Sequence, residues 1–145
     1  MPILAERGYL IPAIGDQYVK CAEHLRDSIL SWHPNANITI LTEDQLPAGN
    51  QGGFANDWQV FSASPYRQTI KLEADMFCAS PIDHWWTLFE HRDVVISQGA
   101  RNFYGQLSQT RAYRKCFDAN NLPDVYNAIT YWRSSRKYNS NYSAS

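Results

Sequence analysis

The chain has 145 residues, with 44% hydrophobic, 14% aromatic and 19% charged side chains, and a formal net charge of −1 at pH 7. This length fits one domain with a buried core, and the composition excludes a largely disordered chain. The near-neutral charge offers no basic field for a phosphate backbone, so we expect no nucleic-acid partner. We predict a single domain over residues 1–138 and a disordered polar tail over residues 139–145.

Neither a membrane span nor a secretion signal is expected. No apolar run approaches the roughly 18–20 residues that cross a bilayer, and residues 1–7 lack a basic segment before an apolar one. The three cysteines, Cys21, Cys78 and Cys116, are odd in number and widely spaced, which fits neither a disulfide framework nor a zinc site. We therefore expect reduced thiols and a cytoplasmic location.

The first elements predict a βαβ unit. Residues 9–14 are a short apolar run, which indicates a buried strand, and Asp16 is placed to cap a helix. Apolar residues recur with a spacing near 3.6 over residues 17–32, and Pro34 ends that helix. Residues 37–42 are β-branched and nearly all apolar, as in a strand covered on both faces. Strand, helix and strand in this order indicate a mainly parallel sheet.

The rest of the chain extends the same pattern. We predict a loop over residues 45–56, a strand over 67–72, a helix over 83–91, a buried strand over 93–97, a helix over 108–119, a turn over 120–124 and a strand over 128–132. This order predicts an α/β fold, with a mainly parallel sheet and helices on both faces. Such sheets bind ligands beyond the carboxyl ends of their strands, so the loops after Ile14, Leu41 and Leu72 are the candidate site.

The most informative segment covers residues 69–77. Its alternation of period two directs Glu73 and Asp75 to one side of the strand and the intervening apolar residues to the other. Two carboxylates at i and i+2, at the end of a buried strand, could share one hard divalent cation that keeps positions open for phosphate oxygens. We predict Glu73 and Asp75 as metal ligands.

Other interpretations of these acids stay open. They could be solvated loop acids, or Lys71 could neutralise Glu73 from the same face. The apolar run over residues 76–78 makes a fully exposed loop a poor fit. A buried pair of acids would need compensation, which a metal, Arg67 or Lys71 could supply.

Five segments taken together resemble a known family: GYLIPAIGDQY (8–18), SIL (28–30), ILTED (40–44), SPYRQTIKLEADM (64–76) and YNAITYWRSS (126–135). They are similar to the core of GT-A type nucleotide-diphospho-sugar glycosyltransferases, in the version found in bacteria and tailed phages. The resemblance implies a Rossmann-like GT-A fold that lacks the usual C-terminal part. Two features depart from the family pattern: Glu73 replaces the usual first Asp, and the chain ends before a later His or Asp ligand.

The resemblance also implies roles for single residues. In such enzymes the first strand and its loop hold the nucleotide, the loop after the second strand contacts the base, and an Asp-x-Asp motif binds Mn²⁺ or Mg²⁺ with the diphosphate. By position, the assigned residues are Ala13 and Ile14 (nucleotide), Asp44 (base), Glu73 and Asp75 (metal) and Asn127 (acceptor side).

Some residues are judged from their own chemistry. Arg67, beside Tyr66, is a candidate phosphate contact, and an ordinary surface arginine is the equal alternative. Asn127 is a simple turn asparagine if it has no acceptor role. None of the four histidines is assigned as a ligand, and no catalytic base is identified.

The resemblance predicts a glycosyltransferase that moves a sugar from a nucleotide-diphosphate-sugar donor to a hydroxyl of a carbohydrate or other acceptor, with Mn²⁺ or Mg²⁺ as cofactor. The alternative is a non-catalytic remnant of the fold that acts as a binding or assembly module. A third possibility is an enzyme completed by a second copy in a homo-oligomer.

Overall fold

The computed structural model describes residues 2–46, 57–98, 104–105, 119–121 and 125–135. These residues form β1 (Ala5–Ala13), α1 (Asp16–Trp32), β2 (Ile38–Thr42), a 3₁₀ turn (Glu43–Gln45), α2 (Asp57–Ala63), β3 (Tyr66–Leu72), α3 (His84–Phe89), β4 (Val94–Gln98) and β5 (Val125–Arg133). Most of the predicted loop over residues 45–56, nearly all of the predicted helix over residues 108–119, part of the turn over residues 120–124, the tail and Cys116 lie outside the described residues.

The five strands form one mixed sheet in the order β2-β1-β3-β5-β4. β1 pairs in parallel with β2 and β3, whereas β5 pairs antiparallel with β3 and with β4. The predicted α/β class is confirmed. The prediction of a mainly parallel sheet holds for the β2-β1-β3 half and is corrected at β5, since an apolar strand pattern carries no information about strand direction.

Helices cover both faces of the sheet, as predicted. On one face α1 and α3 pack over a cluster that includes Tyr9, Ile11, Ala22, Leu25, Ile29, Ile70, Leu72, Trp86 and Tyr131. On the other face α2 packs over a smaller cluster formed by Leu10, Leu41, Leu46, Val60 and Trp132. Alternation along β1 supplies both clusters, whereas β3 supplies the larger one and carries the buried polar Thr69 and Lys71 between its apolar residues. Both central strands are therefore buried on both sides.

Helix α1 confirms the clearest prediction. Its buried residues Ala22, Leu25 and Ile29 follow the 3.6-residue period. Gly15, rather than Asp16, is the N-cap, and its φ of 97° is a conformation that glycine adopts without strain. Asp16 instead lies in the first turn, where a carboxylate favours the positive end of the helix dipole.

Three further elements differ from the predictions. β1 begins at Ala5, several residues earlier than predicted, and α2 was not predicted. β4 was predicted to be buried, but it is the last strand of the described sheet, and its Val94 and Ile96 side chains are 56% and 44% exposed. A short apolar run therefore does not distinguish an edge strand from a central one. Cys21 and Cys78 are free thiols.

The Tyr66 side chain links three strands. From β3, its ring lies over β1 at Gly8, and its hydroxyl shares a 2.6 Å hydrogen bond with Thr39 Oγ1 on β2. A Cβ at position 8 would overlap the ring, so this crossing requires glycine. Burial raises the pKa of the Tyr66 phenol, which is therefore neutral at physiological pH.

This crossing yields the first prediction. We expect Gly8→Ala to lower the free energy of unfolding by about 1–3 kcal/mol, because the added methyl group overpacks the ring. Urea unfolding measures the change. In a Tyr66→Ala background the same substitution should cost much less, because the ring is gone. Equal costs in both backgrounds would contradict the proposed clash.

Candidate functional site

Four of the five strands bring candidate residues to one edge of the sheet, here called the carboxyl edge. β1, β2 and β3 are parallel and end there at Ala13, Thr42 and Leu72. β5 runs the other way and pairs Ile129 with Leu72, so its first residues lie at the same edge. Ligand sites of open α/β sheets lie at such an edge.

Ala13 and Ile14 form the packed part of the carboxyl edge. Ala13 is 1% exposed and pairs with Thr42 at the end of the β1–β2 ladder. Ile14 is half-buried and packs against the smaller apolar cluster. Since both side chains are packed against the protein, their contribution to a ligand would come from backbone groups at the strand end.

Asp44 lies beside them in the 3₁₀ turn that follows β2. Thr42 Oγ1 donates a hydrogen bond to Asp44 Oδ1, and the Thr42 backbone N–H donates to Gln45 Oε1 at 2.9 Å. The turn is thus held by its own side chains. Asp44 is exposed, so its carboxylate faces solvent at the carboxyl edge.

Glu73 and Asp75 follow the end of β3. Ile70, Leu72 and Ala74 all belong to the larger apolar cluster, although the strand ends at Leu72 and a turn begins at Ala74. The buried positions therefore keep a spacing of two beyond the end of the strand. Glu73 is half-buried and Asp75 is exposed.

Asn127 reaches the same edge through the antiparallel direction of β5. It lies within β5, not in a turn as predicted, two residues before the Ile129–Leu72 pair. Its backbone carbonyl accepts a 3.2 Å hydrogen bond from Nζ of the buried Lys71, and its Oδ1 accepts one of 2.9 Å from Thr130 Oγ1. Lys71 thus brings a positive charge to the β3–β5 junction.

Arg67 lies at the opposite end of β3. Its Nε donates to both carboxylate oxygens of Glu6, at 2.7 and 2.8 Å, and Gln68 Nε2 donates to the same carboxylate at 3.0 Å. Six residues of extended chain separate Arg67 from Glu73, which at about 3.3 Å per residue is roughly 20 Å. Arg67 therefore does not lie at the carboxyl edge, and it cannot compensate the negative charge of Glu73 and Asp75.

The carboxylates of Glu73 and Asp75 are hard oxygen donors of the type that Mg²⁺ and Mn²⁺ prefer. Across residues 2–46, 57–98 and the three short described segments beyond them, no group of three or more His, Cys, Asp or Glu side chains could hold a metal ion. Mg²⁺ is commonly held by one or two carboxylates together with substrate phosphates. The donor set at this edge therefore fits a metal that binds together with its substrate.

A cleft that the sequence did not indicate lies at the opposite edge, and we call it the amino-end cleft. It has a volume of about 410 Å³, and its lining includes Arg7, Trp32, Asn37, Asp83 and Trp86. These residues come from three separated segments, and each is unremarkable in its own sequence context. Tertiary structure alone brings them together.

No protein-family model matches this chain, and no curated protein is significantly similar to it. In the described part of the chain, no helix has both the length and the apolar character that crossing a membrane requires. The glycosyltransferase resemblance stays a prediction, and a function must be inferred from the geometry of the two edges.

The Glu6–Arg67 pair predicts a pH dependence of stability. The hydrogen bond from Arg67 lowers the pKa of Glu6 below its ordinary value of 4.5. A carboxyl group whose pKa is lower in the folded state stabilises the protein. The contribution is complete at pH values above the ordinary pKa and is lost as the pH falls through the lowered pKa. Because the pair is partly exposed, we expect Glu6→Gln to cost about 1 kcal/mol or less at neutral pH.

Urea unfolding at a series of pH values tests this expectation. The difference in free energy of unfolding between wild type and Glu6→Gln should shrink on acidification below about pH 4.5. Glu23→Gln, which changes an exposed acid on α1, is the matched control. A difference that stays constant or grows in acid would contradict the assignment.

Proposed function

We propose that the chain is a glycosyltransferase that binds a nucleotide-diphosphate-sugar at the carboxyl edge and transfers the sugar to an acceptor hydroxyl. The observation that carries the proposal is the convergence of the four strand ends, which gathers Asp44, Glu73, Asp75 and Asn127 at one edge. These residues lie far apart in the sequence. The carboxyl ends of parallel strands are the usual place for nucleotide binding in α/β sheets.

Each group at the edge has a role that suits its chemistry. The backbone at Ala13 and Ile14 would line the nucleotide, and the exposed Asp44 would accept hydrogen bonds from the base or ribose. Glu73 and Asp75 would hold Mn²⁺ or Mg²⁺. When bound, such an ion neutralises charge on the departing nucleoside diphosphate, where electrostatic stabilisation contributes most.

Asn127 would lie on the acceptor side. Thr130 Oγ1 donates a hydrogen bond to its Oδ1, and Lys71 Nζ donates one to its backbone carbonyl. The bond from Thr130 orients the side-chain amide, whose NH₂ group can donate to an acceptor hydroxyl. Arg67 is left out of the proposed site, because Glu6 holds it at the other end of β3.

Substitution of the acids tests the metal site. We expect Glu73→Ala and Asp75→Ala each to reduce the Mn²⁺-dependent affinity for uridine or guanosine diphosphate by roughly tenfold or more, because a two-carboxylate site loses half of its protein ligands. Isothermal titration calorimetry with and without Mn²⁺ measures the affinity. Affinity in the absence of metal should change little.

The control variant is Glu23→Ala/Asp27→Ala, which removes an exposed Glu and an exposed Asp from α1. It should leave Mn²⁺-dependent affinity unchanged. Equal affinity in wild type and both acid variants would contradict the metal assignment. Release of nucleoside diphosphate from nucleotide sugars then tests turnover. If the chain binds nucleoside diphosphate but releases none from a nucleotide sugar with any acceptor offered, the result supports a non-catalytic binding module instead.

A further inference from the structure

The amino-end cleft lies at the end of the sheet opposite to the proposed transfer site. It lies where α1 ends and α3 begins, beside the first half of β1 and the residues that precede β2. Its volume of about 410 Å³ is within the range of roughly 300–1,000 Å³ that is typical of small-molecule sites. A ligand there would not contact the carboxyl edge.

Trp32 gives the cleft an exposed aromatic surface with a fixed orientation. The side chain is 47% exposed, yet its indole Nε1–H donates a 3.2 Å hydrogen bond to the backbone carbonyl of Cys78. An indole that is nearly half exposed presents one apolar face to the cleft and to solvent. A ring held in this way is suited to stack against a flat apolar surface of a ligand.

The floor of the cleft is apolar and rigid. Trp86 is buried, and its Nε1–H donates a 3.2 Å hydrogen bond to the Tyr9 hydroxyl. The two rings are 5.3 Å apart between centroids. Burial raises the pKa of Tyr9 to about 12, so the phenol is neutral at physiological pH.

Polar groups at the rim offer both acceptors and donors. Asn37 Nδ2 donates to the Arg7 backbone carbonyl at 2.9 Å, which fixes the amide and leaves its Oδ1 as an acceptor. His33 Nε2 accepts from the Ile82 N–H at 2.9 Å, so the neutral ring carries its proton on Nδ1, a donor. Asp83 adds an exposed carboxylate acceptor. Hydroxyl groups, which donate and accept, complement such a set.

The charges around the cleft disfavour an anionic ligand. Arg7 lines the cleft, and its guanidinium pairs with Glu90. The guanidinium carbon lies 5.7 Å from the centre of the Trp86 ring. Its charge is therefore already compensated within the protein. With the exposed Asp83 also at the rim, the described lining offers a phosphate or carboxylate no uncompensated positive charge.

We propose that the amino-end cleft binds a neutral sugar ring, with its C–H face stacked on Trp32 and its hydroxyls bonded to Asn37, His33 and Asp83. An aromatic surface flanked by fixed polar groups suits a ring that has one apolar face and a hydroxyl-rich edge. The site is separate from the proposed transfer site and does not depend on its activity.

Saturation-transfer difference NMR on the full chain tests the proposal with glucose, galactose, N-acetylglucosamine and maltose. We expect at least one of these neutral sugars to bind with a millimolar dissociation constant and to receive saturation mainly on its C–H protons. Trp32→Ala should weaken this binding by roughly tenfold, whereas Trp32→Phe, which retains a stacking surface, should weaken it much less. Circular dichroism checks that each variant is folded.

Two controls separate the cleft from the rest of the protein. Tyr18→Ala removes another exposed aromatic side chain from the opposite end of α1 and should not affect sugar binding. Glu73→Ala/Asp75→Ala should also retain it, so a failure of the transfer site would leave this result intact. Binding of none of the four sugars, or equal binding by wild type and Trp32→Ala, would overturn the proposal.

Discussion

Burial of β1 and β3 on both faces is the constraint on which the rest of the structure depends. Leu10, Ile11 and Ile70 have no exposed surface, and they belong to clusters on opposite sides of the sheet. A shift of either strand by one residue would exchange its two faces. The register is therefore strongly fixed, and with it the position at which each strand ends and its polar residues emerge.

Three buried polar side chains on or just before β3 are hydrogen-bonded. Thr69 and Ser64, both buried, share a 2.6 Å hydrogen bond, and Gln68 Oε1 accepts one of 2.9 Å from the Tyr131 hydroxyl. Unpaired groups of this kind would each cost about 1–3 kcal/mol. The Gln68–Tyr131 bond joins β3 to β5 through side chains as well as through the ladder, and the Ser64–Thr69 bond ties the residues just before β3 to the strand itself.

Hydrophobic periodicity predicted correctly which residues of α1 and around the end of β3 are buried. The 3.6-residue spacing of α1 and the alternation around Ile70, Leu72 and Ala74 correspond to the structure, because each pattern reflects burial against the sheet. The direction of β5 was not predictable in this way, since pairing partners are chosen by the whole fold.

The site was predictable to the same limited extent. Glu73 and Asp75 follow from the strand that precedes them, and Asn127 arrives beside them through β5. Arg67 is close to Glu73 in sequence, but an extended strand carries it to the other edge. The amino-end cleft could not be predicted from the sequence, because Arg7, Trp32 and Asp83 lie in separate segments that only the fold brings together.

The ring of Tyr66 over Gly8 has a consequence for how the sheet assembles. β1 and β3 are distant in the sequence, and such parallel pairing forms late and slowly because a long loop must close first. On the same face of β1 the residues on either side of Gly8 are Glu6 and Leu10, whose side chains would obstruct the ring. Only the native register of β1 and β3 leaves room for the Tyr66 ring. An intermediate in which the two strands pair in a shifted register would lack the Tyr66–Gly8 contact and would be free to rearrange.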